Sequence, residues 1–317
     1  MHFTAISTAI AATLPLASAG LNKPIINPQF PNNGLGSLGP GLMQHLRPAK
    51  RTWDKWGPGW IPEDCKNLAK SNNLSPFDIT PFNIHYEDCP DSWVFCRHKD
   101  SPLSETDMMD LFGRMPVKMR SYIRHIIALP GSRSAGSAGD NIQMNGDCEI
   151  TVFVHETGHS LDSHAFDPKY GAPFSNSRVW LDNYGQDSAV CDGYAQSSQQ
   201  ENLAQETVVG LFDKVVPGGV GTVQPNWKAI FHQYATVQGY LGDQILPGGT
   251  CSHRLANSRP VPMGDSKKSR RGLGPEPDVS LSSHVTEIEP IAMGDAIVLT
   301  QYNDAGEAIG KREVALN

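Results

Sequence analysis

The most chemically loaded segment of the sequence is VHETGHSLD, in which His155, Glu156 and His159 fall within five positions. On an α-helix, residues four apart lie one turn apart on the same face, so both imidazoles can point a ring nitrogen at one ion. Glu156 sits beside them, where a carboxylate can hold and deprotonate the water that fills the open position of a catalytic zinc. Gly158 is a poor helix former. Between two ligands it is useful, because a residue without a side chain lets another backbone come close. A surface helix with two unrelated histidines is the competing explanation, and the apolar run ITVFV before the motif argues against it.

A catalytic zinc takes three protein ligands, so the chain must supply one more. The pattern HExxHxxGxxH requires Gly at 162 and His at 165, whereas Asp162 and Ala165 stand there and His164 comes one residue early. An aspartate from a D-x-x-Y-G element is nearly offered by Asp182-Asn183-Tyr184-Gly185, one residue short. The remaining candidate is Glu201, early on a helix that follows the Cys191 loop. There it competes with a local role, since Ser198-x-x-Glu201 also reads as a capping box. Glu206 projects about 140° around the helix from Glu201, so the two cannot both face the ion.

HETGHSLD, then Tyr194, six intervening residues, Glu201 and Ala204, resembles the active-site core of the anthrax lethal factor-like zinc peptidases, HExGHxxD followed by Y-x6-E-x-x-A. It is also similar to the secreted fungal conidiation-specific protein 13 family. The resemblance covers about residues 150 to 210. It implies His155, His159 and Glu201 as zinc ligands, Glu156 as general base and Tyr194 as a phenol donor to the oxyanion. It also implies Asp162 as an acid orienting a ligand histidine through its other ring nitrogen. This chain departs from the pattern at Asn202 and Leu203, where the family has aromatic residues, and at Gln205, which replaces the usual second acid.

These residues need elements to hold them. The sequence predicts a strand at 141–144, a turn at Asn145-Gly146 and a helix from about Asp147 to His164. A second helix runs from Ser197 or Ser198 to the Pro217-Gly218-Gly219 break, and a third covers QPNWKAIFHQYATVQGYLG. Upstream, Ser104 caps a helix in SETDMMDLFGRM, followed after Pro116 by a further helical stretch, VKMRSYIRHIIAL. Between 52 and 100 the chain reads as turn-rich and irregular, and GSRSAGSAGD reads as a separator. The fold class expected is α+β, a disulfide-stapled zincin-like domain over 52–255 with a small sheet above the HExxH helix. Residues 141–144 are the expected edge strand, beside which an extended peptide can add.

The flanks bear on compartment. Residues 1–19 join an apolar stretch to Ala17-Ser18-Ala19, an export-signal pattern. Residues 20–51, rich in Asn, Pro and Gly and ending in Lys50-Arg51, read as a pro-segment without a fold of its own, removed after Arg51. Residues 256–280 read as a linker. Residues 281–317 read as a C-terminal tail with a β-hairpin around Asn303 to Gly306. Six cysteines, at 65, 89, 96, 148, 191 and 251, imply disulfides in an exported chain, with connectivity open. A net charge of −7 does not attract phosphate backbones, and no stretch after residue 20 approaches the ~18 apolar residues of a membrane span. The expectation is thus a secreted monomer with one zinc ion, acting on a peptide or protein, with neither nucleic acid nor membrane as partner. Two alternatives stand beside it: a non-catalytic secreted protein that keeps the fold, and an aspartate-ligated, deuterolysin-like zinc endopeptidase using Asp182.

Overall fold

The computed structural model describes residues 20–31, 34–265 and 273–279, with the strand segments 284–286, 296–302 and 308–315. The export-signal reading of 1–19, part of the expected linker at 266–272 and the turn at 303–307 lie outside the described residues.

Helix α1 (Gly39–His45) precedes strand β1 (Arg51–Lys55), helix α2 (Glu63–Ser71), strands β2 (Ile79–Tyr86) and β3 (Trp93–His98), and helix α3 (Glu105–Arg114). Then come β4 (His125–Leu129), β5 (Ser134–Ala138), β6 (Asn141–Asn145) and the long helix α4 (Ile150–His164). Helices α5 (Arg178–Gln186), α6 (Gln199–Val215) and α7 (Phe231–Leu241) follow, and β7 (His284–Thr286) returns to the sheet. The result is a mixed α+β fold.

The sheet has seven strands in the order β5-β6-β4-β3-β2-β1-β7, larger than the small sheet expected. Strand β4 is parallel to both β3 and β6, and the remaining pairings are antiparallel. HIIAL was expected to be helical and is instead the strand β4, every residue of which is buried. A strand flanked by parallel neighbours and covered on both faces is apolar throughout, and that pattern cannot be told from a buried helix by period alone. Likewise the supposedly irregular 52–100 contributes β1, α2, β2 and β3. The Ser104 cap is as expected, with Ser104 and Asp107 exchanging hydrogen bonds in a capping box.

The edge of the sheet also differs from expectation. Asn141–Asn145 is an inner strand, and the Gly/Ser segment beyond it, Ser134–Ala138, forms the edge. Gly139 (φ +58°) and Asp140 (φ +64°) turn β5 back onto β6, the left-handed pair that a two-residue hairpin requires. β5 lies over α4 and so reaches the HExxH helix.

Residues 20–31 and 34–51 are not a structureless segment. Ile26, Phe30, Leu35, Leu38, Leu42 and Leu46 are all buried in the main core, and α1 packs against α4 and α6. Arg51, the residue at the expected cleavage point, is buried in β1 opposite Tyr86. A processing protease needs an exposed, extended strip of chain, and this fold does not present one at 51. At the other end, Pro260–Pro262 pairs with Trp60–Pro62 and Met263 is buried, so packing extends past the expected boundary at 255. Ala296–Tyr302 and Ala308–Ala315 pair antiparallel in a separate two-stranded ribbon.

Four cysteines are bridged: Cys65–Cys96 joins α2 to β3, and Cys89–Cys251 ties the loop after β2 to the chain beyond α7. The second spans 162 residues, for which the chain-entropy model gives about 5 kcal/mol of stabilisation. Cys148 and Cys191 remain buried thiols, so three bridges do not form. Burial pushes the Cys148 thiol up to about 11 and Cys191 well above its ordinary value, which leaves both poorly reactive. Disulfides persist in oxidising compartments. Among the described residues no helix is long and apolar enough to cross a membrane.

Candidate metal centre

Two packed helices bring the site together. His155, Glu156 and His159 lie on α4, and Glu201 lies in the first turn of α6. The helices approach closely at Gly158: a Cβ built there would stand 2.9 Å from the Ala204 Cα. Any larger residue would push α6, and Glu201 with it, away from the histidines. Ser198 caps α6 alone, its Oγ accepting from the Glu201 backbone N–H at 3.1 Å. The Glu201 carboxylate does not turn back to complete a capping box. Its Oε2 lies 3.1 Å from His155 Nε2 and 3.3 Å from His159 Nε2. Donor atoms of these three residues fall within 4.8 Å of one another, and they form the one such cluster among the described residues.

The opposite side of His155 fixes what its ring offers to the cluster. Its Nδ1 lies 2.9 Å from Gln205 Oε1, and Gln205 Nε2 donates to Asp192 Oδ2 at 2.5 Å. An amide oxygen only accepts, so Nδ1 carries the proton, and in the neutral ring Nε2 presents a lone pair. That lone pair faces a carboxylate oxygen. Both His155 Nε2 and Glu201 Oε2 are buried without hydrogen-bond geometry to any partner. Two buried electron-rich atoms that close repel unless a proton or a cation lies between them. The donor set of two imidazoles and a carboxylate, which leaves one position free for water, suits a catalytic zinc.

Groups this close shift one another in opposite senses. Burial opposes charging of His159, but the adjoining Glu201 carboxylate outweighs it and raises the ring above its ordinary value. Burial likewise disfavours ionised Glu201, yet the two imidazoles hold it down at about 2. Glu156 is buried with Oε2 unpartnered, and burial raises its carboxyl despite the neighbouring histidines. A carboxylate held above its ordinary range is a better proton acceptor at neutral pH.

Other expected residues are placed as follows. Tyr194 is about half exposed at the mouth of the site, its ring centroid 5.4 Å from that of His155. Burial and then the nearby Glu201 raise its phenol. Asp162 does not orient a ligand histidine by hydrogen bonding; its carboxylate accepts from the backbone N–H and hydroxyl of Ser175, each at 2.6 Å. It therefore anchors the 174–176 turn beside the site, and Gln205 is the residue that holds the His155 ring. Asp182 is exposed on α5, pairs with Arg178 at 3.2 Å and does not join the cluster, which removes the geometric basis for an aspartate-ligated site. Glu206 faces away from the histidines, fully buried near Cys191, and burial raises it well above the ordinary carboxylate range.

Gln205 and Asp192 were not assigned roles from sequence. Gln205 follows Glu201 by four residues, one turn further along the same face, and that spacing is the signal that could have found it. Asp192 offers none, since only folding of the loop brings it to Gln205.

Two cavities, of about 370 and 590 Å³, flank the cluster and share Ala135, Glu156 and Tyr194. Ala135 belongs to the edge strand β5, so one cleft runs along that strand past the carboxylate of Glu156. Leu35 and Gly36, from the N-terminal segment, wall its first part, and Pro173 and His164 line its second.

The chain belongs to the conidiation-specific protein Con-13 family, whose model matches residues 32–303. It is 30% identical over 290 residues to Conidiation-specific protein 13 of Neurospora crassa, covering 89% of this chain and 83% of that protein. No solved structure matches.

Proposed function

We propose that this chain is a secreted zinc-dependent peptidase with a zincin-like catalytic core. The observation that carries the reading is the convergence of His155 Nε2, His159 Nε2 and Glu201 Oε2 without hydrogen bonds to satisfy the two buried atoms, next to the buried, unpartnered Glu156. Zinc, when bound, supplies Lewis-acid polarisation of the scissile carbonyl and acidification of the attacking water.

Glu156 then takes a proton from that water and delivers it to the leaving amine, a transfer suited to its place between the two halves of the cleft. Tyr194, at the mouth, donates its phenolic hydrogen bond to the oxygen on which negative charge develops. Among the described residues the outer edge of β5 has no strand partner, and its small side chains let an extended peptide lie alongside and add a strand. Backbone pairing of this kind is indifferent to most side chains, so selectivity falls to the cavities at either end. The two disulfides and the export-signal pattern of 1–19 support action outside the cell.

The direct test is cleavage of casein or gelatin by the purified protein. Activity is expected to vanish on treatment with a chelator and to return with about one equivalent of zinc. Chelator-resistant cleavage, or inactivity on broad substrates in the zinc-loaded state, would count for a non-catalytic protein with the same fold.

A further inference from the structure

We infer that Asp192, which does not touch the metal cluster, sets its binding competence by dictating which nitrogen of His155 carries the proton. This rests on the metal-site reading above, though its first readout needs no metal.

Donors and acceptors alternate along one chain of contacts from Asp192 to His155. Asp192 Oδ1 accepts two backbone N–H groups, from Tyr194 at 3.0 Å and Ala195 at 2.9 Å. Its other oxygen, Oδ2, accepts from Gln205 Nε2. A carboxylate only accepts, so Gln205 must aim its NH2 at Asp192, and its carbonyl oxygen is left for His155. That oxygen in turn demands a proton on His155 Nδ1 and leaves Nε2 free to ligate. A metal-ligating histidine commonly donates its second N–H to a carboxylate or carbonyl acceptor. Here the acceptor is a side-chain amide, which is reversible by a flip, so the direction of the whole relay depends on the residue behind it. Because Gln205 is neutral, it adds no charge of its own beside the His155 ring. The same carboxylate also fixes the loop that carries Tyr194, so one residue positions a metal ligand and a residue at the cleft mouth.

Asp192→Asn reverses the logic with little change of shape. An asparagine that keeps its oxygen on the two backbone N–H groups offers an NH2 to position 205, and Gln205 then flips to meet it. The flipped amide donates toward Nδ1 of His155, which places the proton on Nε2 and blocks the ligating nitrogen. Adding Gln205→Glu to that variant restores an acceptor: the new carboxylate receives from both the asparagine NH2 and Nδ1–H.

The experiment is 15N NMR of the histidine rings in metal-free protein at alkaline pH, for the unsubstituted chain, D192N and D192N/Q205E. Zinc affinity of the same three is measured by chelator competition. His155 is expected to carry its proton on Nδ1 in the unsubstituted chain, on Nε2 in D192N, and again on Nδ1 in the double variant. Zinc affinity is expected to fall about 10- to 100-fold in D192N and to recover in the double variant. Retention of the Nδ1 proton in D192N, or no return in D192N/Q205E, overturns the relay. Should D192N fail to fold, Q205L replaces it: loss of the Nδ1 preference supports the relay, and an unchanged tautomer overturns it. Absence of zinc binding by the unsubstituted chain sinks the metal-site reading, while the ring spectra still decide the relay.

Discussion

A chain that begins at Thr52 is expected to lose its cooperative fold. The segment it lacks buries Ile26, Phe30, Leu35, Leu38, Leu42 and Leu46 in the main core, where each is at most 4% exposed. Full burial of such side chains contributes about 1.5–3 kcal/mol each, roughly 9–18 kcal/mol together. A typical domain is stable by only about 5–15 kcal/mol, so the loss is of the size of the whole. The same truncation strips the wall that Leu35 and Gly36 give to the cleft. Thermal unfolding followed by circular dichroism, with a dye for exposed apolar surface, reads the result directly. A broad transition with strong dye binding is expected. A sharp melt within a few degrees of the full chain would mean that 20–51 is dispensable and that processing after Arg51 is compatible with the fold.

The second large effect is at Glu156. Glu156→Gln keeps the shape and removes the ability to accept a proton, so peptide hydrolysis is expected to fall by about 10²- to 10⁴-fold. Zinc content should be unchanged, because the substituted residue is not among the three converging donors. The pairing of the two measurements matters. Lost cleavage with retained zinc assigns the general base, whereas lost zinc would mean that Glu156 supports the cluster instead. Unchanged cleavage would exclude it as base.

What could be read from the sequence depended on whether the signal was local. The spacing of His155 and His159 gave the helix and its shared face directly, and Ser104 marked the start of α3. Glu201 was reachable because the matched spacing from Tyr194 singled it out, and the fold brings its carboxylate to both rings. By contrast, HIIAL carries no alternation, since β4 is covered on both faces, and it was mistaken for helix. GSRSAGSAGD lacks the β-branched and aromatic residues that mark a strand, yet an edge strand beside a cleft is well served by small ones.

The N-terminal segment misled for a related reason. Its Asn, Pro and Gly content suggests disorder, and it hides six apolar residues that fit a groove formed by distant helices. The partnership of Asp192, Gln205 and His155 joins residues up to 50 positions apart and has no local signature. Asp162 bonds to Ser175 rather than to a histidine, a contact that depends on how the 174–176 turn folds back onto α4.

Metal stoichiometry of the purified protein, determined alongside a Glu201→Ala variant, bears most directly on the cluster of His155, His159 and Glu201. About one zinc per chain is expected in the unsubstituted protein, with little or none in the variant after the same dialysis. A protein that takes up no zinc from excess, or a variant that retains a full equivalent, would contradict the proposed centre.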